Sequence, residues 1–341
     1  MTPATQKRAA TLGLALTGAA VFHLLGLPLP FLFGPMSACL LAALAGAPLK
    51  GLGTVSTLAR TVLGVAVGAS ITPEVVGRLP QMAGSVALVP VYVVLIGLVG
   101  VPFFRRLGYD PVTAWYAAMP GGLQDMVSFG VEAGGDGRAL ALIHATRVLV
   151  IVTLAPLILT GLYGAGLTGA VGAPALALPV GELALMAVAA VIGWKGAERV
   201  GLFGASILGP MILTAILSIS GIITHRPPAE IIWAAQFFIG IAVGVKYAGI
   251  TLRELRIFVG AGAVYAVVLA MISLGFIEVI HLLDLAPPMD AFLGYLPGGQ
   301  AEMVVIAILA GADLAFVVSH HLLRIVLVIM IGPLVERRLR R

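Results

Sequence analysis

Apolar positions in this chain come in long blocks, without the period-two alternation of a half-buried strand. Runs of about 20 mostly apolar residues are what a helix needs to cross a bilayer. They fall near 9–27, 31–49, 53–72, 80–103, 138–163, 179–197, 202–224, 230–250, 257–282 and 313–335. Two further apolar stretches, 111–133 and 288–310, are each interrupted midway by Pro-Gly-Gly. Charged residues gather between the blocks. No segment has the make-up of a soluble domain, and the small, uncharged stretch 164–178 reads as a linker between residues 1–163 and 179–341.

Composition sharpens that picture. Of 341 residues, 60% are hydrophobic and 10% charged, with mean hydropathy +1.11. A soluble domain carries about a quarter of its residues as charges, so most of this surface must face lipid. The 43 glycines and 21 prolines suit membrane helices, whose neighbours repair the backbone groups these residues free. A net charge of +5 would suggest nucleic acid in a soluble protein. Here the basic residues flank apolar runs and read as topology signals, so no nucleic-acid partner is expected. The single cysteine, Cys39, excludes an intrachain disulfide. Lys7 and Arg8 precede the first apolar run without a convincing cleavage site, which favours a retained first helix.

The chain is internally duplicated. Met119-Pro120-Gly121-Gly122-Leu123-Gln124-Asp125-Met126 recurs 177 residues later as Leu296-Pro297-Gly298-Gly299-Gln300-Ala301-Glu302-Met303. The same shift carries Pro111 onto Pro288, Gly134 onto Gly311, Asp136 onto Asp313, His144 onto His321, Arg147 onto Arg324 and Pro156 onto Pro333. Gly34-Pro35-Met36 matches Gly209-Pro210-Met211, and Gly64 and Gly68 match Gly240 and Gly244, at shifts of 175 and 176. A collinear series of this kind is a repeat.

Loop charges bear on orientation. Five crossings per copy, with a cytoplasmic N-terminus, leave 14 lysines and arginines inside and only Arg78 and Arg226 outside. Six crossings, with the interrupted stretches spanning fully, give 10 to 6. The positive-inside rule prefers the odd count, and an odd count turns the second copy upside down. The expected fold is therefore an all-α integral membrane protein of two inverted repeats. Each repeat holds five transmembrane helices plus one Pro-Gly-Gly-interrupted segment. Both termini are then cytoplasmic and the chain is multi-pass in the plasma (inner) membrane.

Chemistry concentrates at the breaks. Each flank of Pro120-Gly121-Gly122 or Pro297-Gly298-Gly299 is long enough for a helix crossing about half a bilayer. Two readings stand: a kinked spanning helix packed through its glycines, or a re-entrant hairpin whose tip offers free N–H groups to a solute. Gln124, Asp125, Gln300 and Glu302 follow the breaks. Asp125 and Glu302 occupy matched positions and are candidates to bind a coupling proton or sodium ion. The alternative is a structural ion pair with Arg147 and Arg324. His144/Arg147 and His321/Arg324 share a helix face at i, i+3. The arginines suit a substrate anion, and the histidines suit proton relay or an ordinary hydrogen-bonded core. Arg60 and Lys246 break the symmetry, since Arg60 aligns with Gln236 and Lys246 with Ser70. Lys246 is expected to snorkel.

The chain contains no His-Glu-x-x-His, Walker loop or Gly-x-Ser-x-Gly, and no cysteine or histidine cluster with metal spacing, so neither cofactor, metal nor enzymatic activity is expected. The doubled Pro-Gly-Gly-x-x-(Asp/Glu)-Met signature, each followed by His-x-x-Arg, resembles the duplicated AbrB-like membrane family over essentially the whole chain. Members of that family carry labels such as AbrB family transcriptional regulator or ammonia monooxygenase. The layout is also similar to secondary transporters with inverted halves and discontinuous helices. The leading expectation is a secondary transporter for a small anionic or zwitterionic solute, coupled to protons or sodium, with homo-oligomers permitted. The rival is a membrane sensor that binds a ligand or partner without net transport.

Overall fold

Each apolar block folds as a helix, and the helices form two matching series. The computed structural model describes residues 3–27, 29–167, 172–202 and 204–339, and no strand occurs among them. The first series is α1 (Pro3–Leu24), α2 (Pro30–Leu44), α3 (Thr54–Gly68), α4 (Ala83–Arg106), α5 (Pro111–Ala118), α6 (Leu123–Glu132) and α7 (Gly137–Gly161). The second is α8 (Val180–Arg199), α9 (Ala205–Ile219), α10 (Ala229–Gly244), α11 (Leu252–Leu282), α12 (Pro288–Tyr295), α13 (Gln300–Ala310) and α14 (Leu314–Leu339). A short helical turn, Pro73–Arg78, precedes α4. Residues 168–171 of the expected linker lie outside the described residues, as do Arg340 and Arg341.

Five of these helices are long and apolar enough to cross a membrane: α4 and α10 with their adjoining turns, α7, α8 and α11. By contrast α2, α3 and α9 have 15 residues each. At 1.5 Å per residue that is about 22 Å, short of a hydrocarbon core of about 30 Å. Of the ten spans expected, helices form at all ten, and five of them are long and apolar enough to cross.

Local chemistry fixes the helix ends. Pro30, Pro111 and Pro288 open α2, α5 and α12, where a missing N–H costs nothing. Asp110 caps α5, accepting from the Val112 and Thr113 amides at 3.0 and 2.9 Å. Asp136 does the same for α7 through Arg138 and Ala139, and Asp313 for α14 through Ala315 and Phe316. The left-handed glycines Gly134 and Gly311, at φ of 90° and 71°, close α6 and α13.

The chain divides into two compact units, and each takes one part from each sequence copy. The first unit comprises residues up to Val76 together with Leu167–Thr251, and so contains α1–α3 and α8–α10. It is built on glycine contacts. Gly18 of α1 lies against the backbone of Gly34 in α2, and Gly193 of α8 against that of Gly209 in α9. The copies then interlock. Gly64 and Gly68 of α3 rest on the Ile207 and Met211 carbonyls of α9, while Gly240 and Gly244 of α10 rest on those of Leu32 and Met36 in α2. At all four positions a Cβ would strike a main-chain oxygen of the other copy. This is the small-x-x-x-small packing by which membrane helices approach closely.

The second unit comprises Gly77–Gly166 and Leu252–Arg341, and so contains α4–α7 and α11–α14. Both Pro-Gly-Gly segments fall here. Helix α7 packs on α11 and α13, and α14 packs on α4 and α5, so the copies are interleaved again.

Candidate functional site

The interrupted segments are hairpins. The Thr113 hydroxyl, near the start of α5, accepts the amide of Asp136 just beyond α6 at 2.8 Å. In the second copy the Asp290 carboxylate accepts the amide of Asp313 at 2.9 Å. The beginning of each segment therefore meets its own end. Proline explains the break at the tip, because Pro120 and Pro297 have no N–H to continue the ladder. Gly121 and Gly298 lie beneath the Met126 and Met303 side chains, leaving no room for a Cβ. Gly122 and Gly299 stand as N-caps in extended backbone, without a side chain to cap α6 or α13.

The histidines and arginines of α7 and α14 hold these tips from the side. His144 Nε2 lies 3.0 Å from the Tyr116 carbonyl and His321 Nε2 2.9 Å from that of Leu293. A carbonyl only accepts, so Nε2 carries the proton in both rings. Each Nδ1 is buried without a partner among the described residues. Arg147 Nη1 donates to Met119 O at 3.1 Å and Nη2 to Gly121 O at 2.7 Å. Arg324 Nη1 donates to Leu296 O at 3.4 Å. Every one of these partners lies 26 or 28 residues upstream, in the same copy's first half-helix or break. The cations thus sit on the carbonyl ends of α5 and α12, where the helix dipole is negative.

All four side chains are deeply buried, the arginines at 1% and 3% exposure. They lie close enough for the two positive charges to repel. Neither arginine pairs with a carboxylate among the described residues. The side chains of Gln124, Asp125 and Gln300 lie outside those described. Glu302 is buried, and its carboxylate folds back over Gly299 at the start of α13.

A second pair of side chains links the copies and was not singled out from the sequence. The Tyr92 hydroxyl of α4 donates to the Tyr295 carbonyl at 2.8 Å, and that of Tyr265 in α11 donates to the Ala118 carbonyl at 2.9 Å. Tyr295 and Ala118 are the last residues of α12 and α5. Each copy's half-helix end is therefore capped by the other copy's tyrosine. Ser273 reinforces one side, its Oγ lying 2.8 Å from Tyr92 Oη and 3.3 Å from the Tyr295 carbonyl. On the other side Gly100 lies against the Tyr265 hydroxyl, where a Cβ would collide. The two tyrosines are 173 residues apart, so the 177-residue shift does not superpose them. The useful signal was an apolar span with a lone tyrosine in each copy.

Two other features lie outside this constellation. Arg60 and Lys246, both in the first unit, approach each other closely enough for their charges to interact, although they do not coincide under the repeat. The first unit also holds a cavity of about 350 Å³ lined by Val62, Val65, Leu183, Met186, Pro227 and Ile231. Its walls are almost wholly apolar and do not suit a charged solute. His320, beside His321, faces elsewhere, contacting the Phe316 carbonyl and Ser85 Oγ.

These features define an all-helical, membrane-embedded protein whose duplicated core carries two broken-helix hairpins. Comparison with known proteins places it more closely. A family model described as "Transition state regulatory protein AbrB" matches residues 31–340, and the chain belongs to that AbrB family. It is similar to the protein YhjN of Bacillus subtilis (strain 168), with 25% identity over 298 residues, 81% of this chain and 76% of that one. It is also similar to a protein of Escherichia coli (strain K12) named "Putative regulator AbrB", with 27% identity over 321 residues, 91% of this chain and 90% of that one.

Proposed function

We propose that the chain is a secondary transporter for a small anionic or zwitterionic solute, its two hairpins re-entering the membrane from opposite faces. The observation that carries this reading is the pair of fully buried guanidinium groups on the carbonyls of broken helices. Charged side chains at membrane depth are costly and mark substrate or ion pathways. Discontinuous helices whose free backbone ends face a polar core are how inverted-repeat carriers hold solutes. The hairpin tips at Pro120-Gly121-Gly122 and Pro297-Gly298-Gly299, with Gln124 and Gln300, contribute the backbone and amide side of that core. Asp125 and Glu302, together with His144 and His321, serve the coupling proton or sodium ion.

Two ion pairs support the inverted arrangement. Arg78 pairs with Asp313 at 3.4 Å, and Arg138 with Glu254 at 2.8 Å. Arg78, closing the turn before α4, and Glu254, in the first turn of α11, occupy matched positions of the two copies, while Asp313 and Arg138 lie at matched helix starts. Each pair thus joins the entry to one copy's long helix to the far end of the other copy's hairpin. If the hairpins re-enter, those two places in a single copy lie on opposite faces. The cross-pairing then turns the copies upside down relative to one another.

The test is flux. Purified protein in liposomes, given labelled acetate or butyrate and an imposed pH or sodium gradient, should move solute faster than protein-free vesicles. A chain that binds such anions yet leaves the rate at the protein-free level is a sensor, the reading the name of the Escherichia coli relative favours.

A further inference from the structure

The two arginines are related by the repeat, but they are not equivalent. Arg147 uses both terminal nitrogens, Nη1 on the Met119 carbonyl and Nη2 on the Gly121 carbonyl at 2.7 Å. Arg324 makes a single hydrogen bond among the described residues, from Nη1 to Leu296 at 3.4 Å, with no counterpart of the Gly121 contact at Gly298. Its Nε is buried without a partner. Nε and Nη2 form the side-on edge of a guanidinium, the fork that matches the two oxygens of a carboxylate. In Arg147 that edge is half used by the hairpin. In Arg324 no described residue fills it.

We propose, building on the transporter reading, that Arg324 is the anion-binding group of this core and that Arg147 is a positioning residue for the first hairpin tip. The ligand class is a small monocarboxylate. One free fork calls for one planar oxyanion. A second anionic group on the solute would have only Arg147 to meet, and Arg147 is committed to backbone. The described side chains against Gly298 are apolar: Ile151 lies 3.3 Å from where a Gly298 Cβ would be, and Met303 covers the same glycine. An aliphatic body fits there better than a further charge. Glu302 does not supply the missing anion, because its carboxylate is folded over Gly299. A cation at 3% exposure with its side-on edge unfilled is incompletely solvated, so a carboxylate that fills the fork gains affinity by neutralising it.

The experiment uses the full chain in detergent, with acetate, butyrate and succinate titrated at constant ionic strength and the melting temperature as readout. Wild type should be stabilised by butyrate and acetate more than by succinate, since ligands of the folded state raise its stability by mass action. Arg324→Gln should weaken the butyrate response at least tenfold while the unliganded protein melts no earlier than wild type. Arg324→Lys, which keeps the charge and loses the fork, should behave like the glutamine variant. Arg147→Gln should lower the unliganded melting temperature and leave a butyrate response in the fraction still folded. The assignment is overturned if Arg324→Gln binds butyrate like wild type, if Arg147→Gln alone abolishes binding to folded protein, or if succinate outcompetes butyrate. Binding without flux in the liposome assay would remove the transporter reading and leave the Arg324 assignment standing. Flux unchanged in Arg324→Gln would do the reverse.

Discussion

Replacing Tyr265 with phenylalanine should cost more than the matched change at Tyr92, although the two hydroxyls play the same part. Both are buried, at 0% and 1% exposure, and each donates to the terminal carbonyl of the other copy's half-helix. Phenylalanine keeps the ring and removes only the donor. At Tyr265 the hydroxyl is the side-chain donor to the Ala118 carbonyl, with no second one among the described residues, and the carbonyl is left buried and unpaired. A group left in that state costs about 1–3 kcal/mol. At Tyr92 the Tyr295 carbonyl keeps Ser273 Oγ at 3.3 Å, a second donor that can turn toward it. The loss there should be about 1 kcal/mol or less, the net worth of one ordinary hydrogen bond. Unfolding of the detergent-solubilised chain by added SDS, followed by circular dichroism, reads the difference. Adding Ser273→Gly to Tyr92→Phe should bring its cost up to that of Tyr265→Phe. If Tyr92→Phe alone costs as much as Tyr265→Phe, or Ser273→Gly adds nothing, cross-copy capping does not hold the hairpins in the way described.

Three further outcomes follow from other contacts. Gly240→Ala and Gly64→Ala push a methyl group into the Leu32 and Ile207 carbonyls, and each should destabilise the chain by about 1–3 kcal/mol. Gly275→Ala, which meets nothing within 4 Å on the same kind of helix, should be neutral or stabilising by up to about 1 kcal/mol in the same assay. Arg78→Ala and Arg138→Ala break half-exposed ion pairs, so each should cost under about 1 kcal/mol and the cost should shrink in high salt. Burial, aided by the nearby Asp136 charge, pushes the Tyr109 hydroxyl from its ordinary 10.0 up to about 12. The fold thus favours the neutral phenol, whose contribution is complete below pH 10 and lost as pH climbs toward 12. Alkaline melting curves should show that loss in wild type, and Tyr109→Phe should flatten it.

The sequence carried the architecture further than it carried the site. Long apolar blocks and the 177-residue shift gave the helices and the duplication because both are written in residue type and spacing. Asp136 and Asp313 were legible as a matched pair, but not their part as N-caps, which the structure supplies. What spacing does not encode is which copy a residue will touch. Gly64 and Gly240 were legible as a matched pair, but their partners, the Ile207 and Leu32 carbonyls, are main-chain atoms of the other copy. The arginines were legible as candidates too. That Arg147 grips the tip backbone while Arg324 holds one long contact is a matter of fractions of an ångström. Tyr92 and Tyr265 escaped because the copies drift in register there, by four residues relative to the hairpins.

Side-specific thiol labelling decides whether the copies lie upside down to one another around re-entrant hairpins. With Cys39 replaced by serine, Arg78→Cys and Arg253→Cys each place one thiol at matched positions, just before α4 and in the first turn of α11. A membrane-impermeant maleimide should label the thiol at position 78 in intact cells, and the thiol at position 253 only once the membrane is opened. If both are labelled from the same face, the copies are not inverted.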